Sequence, residues 1–135
     1  MTTYLSSERG YIALITVSII MAVVLLIVIS ASQLSISESE MALKQSRSAE
    51  SFYLASACAE IALEKLKNNL NYGGNENIAI NNNQCVILPI EGTGNKNRII
   101  KTESRLNDQY RKIVVKLAQI NPQTVILSWQ EVANF

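Results

Sequence analysis

Histidine is absent from this chain of 135 residues. Its absence removes the commonest general base and the commonest metal ligand. Two cysteines, Cys58 and Cys85, are too few to build a zinc site without it. No nucleophile–base pair can be assembled, and no pair of acids stands apart from solvated faces. The chain is therefore not expected to be an enzyme, and no metal or cofactor is expected. An excess of charge is also missing. The 12 basic and 11 acidic residues leave a net charge of +1, so bulk charge points neither to nucleic acid nor to a cationic partner. The length suits one small domain.

Charge is missing in a second, local sense. Between Arg9 and Glu38 there is none, and residues 11–29 are aliphatic apart from Tyr11, Thr16 and Ser18. About 20 apolar residues span a bilayer as a helix. A core helix of so small a protein would not be apolar on every face. Removing this segment leaves only about 100 residues for a head, whose core is modest enough to need a staple.

Glycine and proline are scarce, and neither occurs between Ser37 and Asn69. In that stretch Phe52, Ala55, Ala59, Ala62, Leu66 and Leu70 recur at steps of three and four, one face of a helix. Glu60, Glu64 and Lys67 fall away from the stripe. The apolar segment and this amphipathic one read as a single helix over residues 11–69, roughly 90 Å long at 1.5 Å per residue. A head this small cannot cover such a helix, so its exposed length must lie in lipid or against other chains.

Residues 68–83 are rich in Asn and contain Gly73-Gly74, which predicts a loop with room for a short strand at 78–80. Strand patterns follow. Val86, Leu88 and Ile90 alternate, with Pro89 marking an edge strand. A turn at 92–95 leads to a strand at 98–104, and Leu106-Asn107-Asp108 turns the chain again. Ile113, Val115 and Leu117 then alternate with Lys112 and Lys116. After Asn121-Pro122 a last strand covers 124–132, with Val125, Leu127 and Trp129 on one face. The predicted fold class is α+β: one long N-terminal helix packed on a four-stranded antiparallel meander.

Read from the residues alone, the N-terminal segment has three interpretations: a plain signal anchor, a cleaved secretory signal, or a prepilin. Ser30-Ala31-Ser32 supplies small residues for secretory cleavage, but the apolar stretch is long for that and the leader has one basic residue. Cys58 and Cys85 also keep two readings. They are either buried free thiols or, with the head outside the cytoplasm, a disulfide closing a loop of about 28 residues and contributing roughly 3–4 kcal/mol.

The stretch Glu8-Arg9-Gly10-Tyr11-Ile12-Ala13-Leu14-Ile15 resembles the type III signal sequence of type IV prepilins. Together with Ser48-Ala49-Glu50-Ser51-Phe52-Tyr53-Leu54-Ala55, it makes residues 1–70 similar to PilX-like minor pilins; beyond them the likeness is architectural. The resemblance implies a leader at 1–10 cut by prepilin peptidase between Gly10 and Tyr11, followed by N-methylation of Tyr11. It implies a transmembrane and filament-core helix at 11–35 that includes Ile12, Leu14, Ile15, Val17 and Ile19. An amphipathic half at 36–70 and a β head at 71–135 complete the organisation.

The expected function is that of a minor pilin or pseudopilin, a structural subunit in pilus assembly or its tip complex, serving adhesion, motility, DNA uptake or secretion. Its partners would be other pilin subunits through the helix, the peptidase and inner-membrane lipid. Its location would be the bacterial inner membrane, single-pass with the head outside, and then a surface pilus or pseudopilus. The alternative is a monomeric membrane-anchored binding module.

The chain departs from the family at Ile15. Major pilins place a glutamate five residues into the mature chain, where it neutralises the ammonium of a neighbouring subunit. Without it, this chain is expected at a tip or in an assembly that packs without that ion pair. Two further ligand readings stand beside these. Asn71, Asn75, Glu76 and Asn77 offer oxygens to calcium without EF-hand spacing. Lys96, Arg98, Lys101, Arg105, Arg111, Lys112 and Lys116 lie in the sheet region, either as an ordinary solvated face or as a stripe for DNA or a surface ligand.

Overall fold

The computed structural model describes residues 5–135, with side chains from Gly10 onward. Most of the expected leader, residues 1–9, thus lies wholly or in its side chains outside the described residues. One helix, α1 (Leu5–Asn68), precedes five strands: β1 (Glu76–Ile80), β2 (Asn83–Ile87), β3 (Lys96–Leu106), β4 (Gln109–Gln119) and β5 (Val125–Val132). The chain divides into two units, Met1–Leu43 and Lys44–Phe135.

The first unit is helical throughout its described length. Every residue from Gly10 to Leu43 is exposed, and α1 is long and apolar enough to cross a membrane. The hydroxyls inside the apolar run stay within the helix. Thr16 donates to the Ala13 carbonyl (2.8 Å) and Ser18 to Leu14 (2.9 Å). Ser30 donates to Leu26 (2.8 Å) and Ser32 to Val28 (2.9 Å). Each hydroxyl thus satisfies its donor without water, which is what a helix in hydrocarbon requires.

In the second unit, the C-terminal part of α1 packs on one face of an antiparallel sheet of strand order β1-β2-β3-β4-β5. The architecture is α+β, as the sequence pattern predicts, with five strands where the pattern gave four. Small side chains on α1 admit the sheet closely: Ser51, Ala55, Cys58, Ala59 and Ala62 are all fully buried, with Leu54 and Leu66 beside them. Against them lie Cys85 and Ile87 of β2, Ile100 of β3, and Ile113, Val115 and Leu117 of β4, with Ile120 beyond. Burial at about 25 cal/mol per Å² makes this contact the main stabilising term of the head.

Three details of the sheet differ from the sequence-based expectation. The extra strand, β1, pairs with β2 from Glu76↔Ile87 to Ile80↔Asn83. Its hairpin turns on Asn81 and Asn82, whose φ values of 46° and 68° are both positive. A two-residue hairpin loop of this kind needs positive φ at both positions, and Asn tolerates it. The Asn-rich segment is therefore a hairpin as well as a loop.

The second difference lies in β2, which ends at Ile87, and its buried residues are Cys85 and Ile87 rather than Val86, Leu88 and Ile90. It is also an inner strand, paired with both β1 and β3. Pro89 lacks an amide proton and breaks the ladder just past the strand. Beyond it, the backbone links to β3 are Leu88 N–H to the Lys101 carbonyl (2.9 Å) and a Glu91↔Ile99 bridge.

The third difference is on β5. Trp129 lies opposite Val115 and packs on the core, whereas Ser128 pairs with Lys116 and Ile126 with Leu117. The register shift leaves Leu127 without a partner in the ladder, a β-bulge. Leu127 and Trp129 therefore do not share an environment: Leu127 is 66% exposed.

Candidate functional site: an uncovered apolar helix and a cross-tied head

The predicted filament-core residues form the exposed apolar surface of the first unit. Tyr11, Ile12, Leu14, Val17 and Ile19 are each more than half exposed, and Ile15 is 41% exposed. Leu14, Ile15, Ser18, Ile19 and Ala22, with Tyr11, outline a shallow groove of about 440 Å³ along the helix. Two of its lining residues, Ser18 and Ala22, are small, and small residues let a second apolar helix approach closely. No described side chain of this surface carries charge before Glu38. Chemically, the surface can do one thing: exclude water against lipid or other apolar helices. Gly10 precedes it within the helix, with nothing near the place a Cβ would occupy.

In the head, Cys58 of α1 and Cys85 of β2 form a disulfide, with Cα atoms 6.3 Å apart and both residues fully buried. Cys58 lies in the core beside Ala55, Ala59 and Ala62 of the helical stripe. Buried hydroxyls add to this link. Thr102 donates to the Ala55 carbonyl (2.9 Å) and Ser104 to the Ser51 carbonyl (2.5 Å), while the Ser51 and Ser104 hydroxyls lie 2.8 Å apart. Three positions one helical turn apart, Ser51, Ala55 and Cys58, are thus tied to β3 and β2. Thr102 and Ser104 continue the inward alternation that starts at Arg98 and Ile100, a period-two signal present in the sequence but masked by their polarity.

The basic residues of the sheet region do not form one stripe. Arg98 is 3% exposed and points into the head. Its guanidinium donates to four backbone carbonyls: Leu70 (2.8 Å), Gly94 (3.0 Å), Tyr72 (3.2 Å) and Glu91 (3.2 Å). Burial lowers its pKa from the ordinary arginine value, yet four of five donors are satisfied. It fastens the segment after α1 to the loop between β2 and β3. Lys101 pairs with Glu91, Lys112 with Glu103 at 3.8 Å, and Arg111 with Glu131 and Ser48. Arg105 lies over the Tyr110 ring at 5.1 Å.

Glu76 is likewise engaged within the head. It accepts from Lys65 at the end of α1 and from the Tyr72 hydroxyl. The Lys65 hydrogen bond, then that of Tyr72, lower its pKa. Burial, and then Glu76 itself, raise that of Tyr72. Among the described residues no cluster of three metal-ligating side chains occurs.

No protein-family model, curated protein or solved structure matches the chain.

Proposed function

We propose that the chain is a minor type IV pilin or pseudopilin, a structural subunit rather than an enzyme. It is processed between Gly10 and Tyr11 and held in the bacterial inner membrane with its head outside the cytoplasm. From there it is packed by its helix into a filament or its tip. The observation that carries the reading is the first unit: exposed at every position from Gly10 to Leu43 and uncharged as far as Ser37. Such a surface is stable only in lipid or among other apolar helices. A disulfide-tied head supports the oxidising side of a membrane. The Gly10-Tyr11 junction supplies the processing chemistry that separates a pilin from a plain anchor.

Mass spectrometry of the protein from its native membrane should find a mature chain beginning at N-methylated Tyr11. An intact chain beginning at Met1, or one beginning near Gln33, overturns the pilin reading. Ile15 favours the second reading, a monomeric membrane-anchored binding module, because the ion pair of major pilins has no acid here. That reading calls for an unprocessed N-terminus.

A further inference from the structure

Both ends of the Cys58–Cys85 bond are sealed. Each cysteine is fully buried between α1 and β2, in a core that includes Ala55, Ala59, Ala62, Ile87 and Ile100. Thiol–disulfide exchange proceeds by attack of a thiolate on a sulfur it can reach. No oxidant reaches either sulfur while α1 lies on the sheet, so the bond is made before α1 docks. Lifting α1 afterwards has to break the hydrogen bonds from Thr102 to the Ala55 carbonyl and from Ser104 to the Ser51 carbonyl. Before docking, the two cysteines differ. Cys58 lies within α1, whose hydrogen bonds are local, and its neighbours on the docking face are the small Ala55, Ala59 and Ala62. Helix forms within about a microsecond and leaves this thiol unhindered. Cys85 is placed by β2 between Ile78 of β1 and Ser104 of β3, with Ile87 next on the same face. Chain order adds a second difference. The 27 positions separating the cysteines reach roughly 90 Å when extended, against ~30 Å for the hydrocarbon layer of a bilayer. In a chain anchored by the start of α1 and exported from there onward, Cys58 clears the membrane first.

We propose that Cys58 is the entry site for oxidation of this chain by an exported dithiol–disulfide oxidant. This rests on the head lying outside the cytoplasm, as in the proposed reading, but not on processing or filament formation. The Cys58 thiolate attacks one sulfur of the oxidant's disulfide. That S–S bond breaks, a mixed disulfide forms on Cys58, and the second oxidant sulfur leaves as a thiolate and takes up a proton. The Cys85 thiolate then attacks Cys58 Sγ. The mixed disulfide breaks, the Cys58–Cys85 bond forms, and the oxidant leaves as a dithiol. Two electrons and two protons pass from the chain to the oxidant. Docking of α1 then closes the bond off from reductants, and only opening of the head exposes it again.

The test compares Cys85→Ser with Cys58→Ser in the full chain, pulse-labelled in the native host and quenched with acid. Both variants lack the bond, so its loss favours neither. On non-reducing gels, Cys85→Ser should carry about fivefold or more of the reductant-sensitive mixed disulfide found with Cys58→Ser, because only Cys58 is met early and unhindered. Equal amounts, or an excess from Cys58→Ser, overturn the entry site. A second measurement reads the seal. Dithiothreitol should reduce the oxidised wild-type chain in detergent roughly 100-fold more slowly than the same chain in guanidinium chloride, since reduction waits on opening of the head. Comparable rates show that the sulfurs are reachable with α1 docked and overturn the required order. Asn77→Cys, at an exposed position of β1, reports the side of the membrane through a membrane-impermeant maleimide applied to spheroplasts. Labelling without the difference between the serine variants overturns the entry site alone. A shielded Asn77→Cys overturns the extracytoplasmic head, and with it both readings.

Discussion

Arg98 places a full charge inside the head without a carboxylate partner among the described residues, and backbone carbonyls alone hold it. Truncating it leaves the carbonyls of Leu70, Tyr72 and Gly94 facing a cavity, each buried acceptor costing about 1–3 kcal/mol if unmet. Arg98→Met is expected to lower the head's unfolding free energy by about 3 kcal/mol. Arg98→Lys should recover less than half of that, because one ammonium cannot span the arc a guanidinium fork covers. Chemical denaturation of the full chain in detergent measures both. In the sequence Arg98 is one of seven basic residues in the sheet region, and composition cannot separate it from Lys101 or Lys112. Only its place in the inward alternation Arg98, Ile100, Thr102, Ser104 marks it, and charge argues against reading that alternation as core. Asparagine is easier to read at this scale. Among the described residues, every non-glycine residue with positive φ is an Asn: Asn75, Asn81, Asn82, Asn97 and Asn107. The short amide side chain tolerates the left-handed region where most others clash.

At the scale of elements, α1 and the sheet are joined at one face by small side chains, three hydroxyl contacts and the Cys58–Cys85 bond. The disulfide spans 27 positions of sequence and ties the helix to β2, so its removal releases the loop that contains β1, its turn and the first residues of β2. The Cys58→Ala, Cys85→Ala double variant is expected to lose about 3 kcal/mol of stability relative to the oxidised chain, read from denaturation midpoints. Peptide mapping without reductant should find the bond in protein from its native host. The helical stripe and the strands β3 and β4 are legible in the sequence because their burial is one-sided and periodic. β1 is legible only as a short strand at 78–80, and its start at Glu76 and its pairing with β2 are not, because its turn is Asn81-Asn82 rather than a glycine dipeptide and its residues alternate weakly. The inward face of β2 differs from the sequence pattern for another reason. The apolar Leu88 and Ile90 extend the alternation of Val86 past the strand's end, so the outward parity is the more hydrophobic one in the sequence.

At the scale of the molecule, the apolar helix of the first unit needs an environment that no part of the described chain supplies. In the proposed filament reading, Ile15 decides where a subunit belongs, since an acid at that position has work only if an ammonium lies above it. Ile15→Glu puts a carboxyl into an apolar bundle or lipid, at a cost of up to roughly 2.5–3.5 kcal/mol near a membrane centre. The variant is expected to lower the number of filaments per cell or leave it unchanged. Tagged wild-type protein should be sparse and terminal on sheared filaments; label along their whole length would refute tip placement.

The sequence by itself determined the helix, its uncharged span and the α+β class, because these follow from period and polarity, which are local properties of the chain. The tertiary structure alone decided that Cys58 and Cys85 are bonded rather than free thiols, that Arg98 turns inward and that β5 carries an open edge. Each of these depends on which strands become neighbours and in what register. A single bulge at Leu127 or a proline after Ile87 shifts that register without altering the composition that a sequence pattern reports.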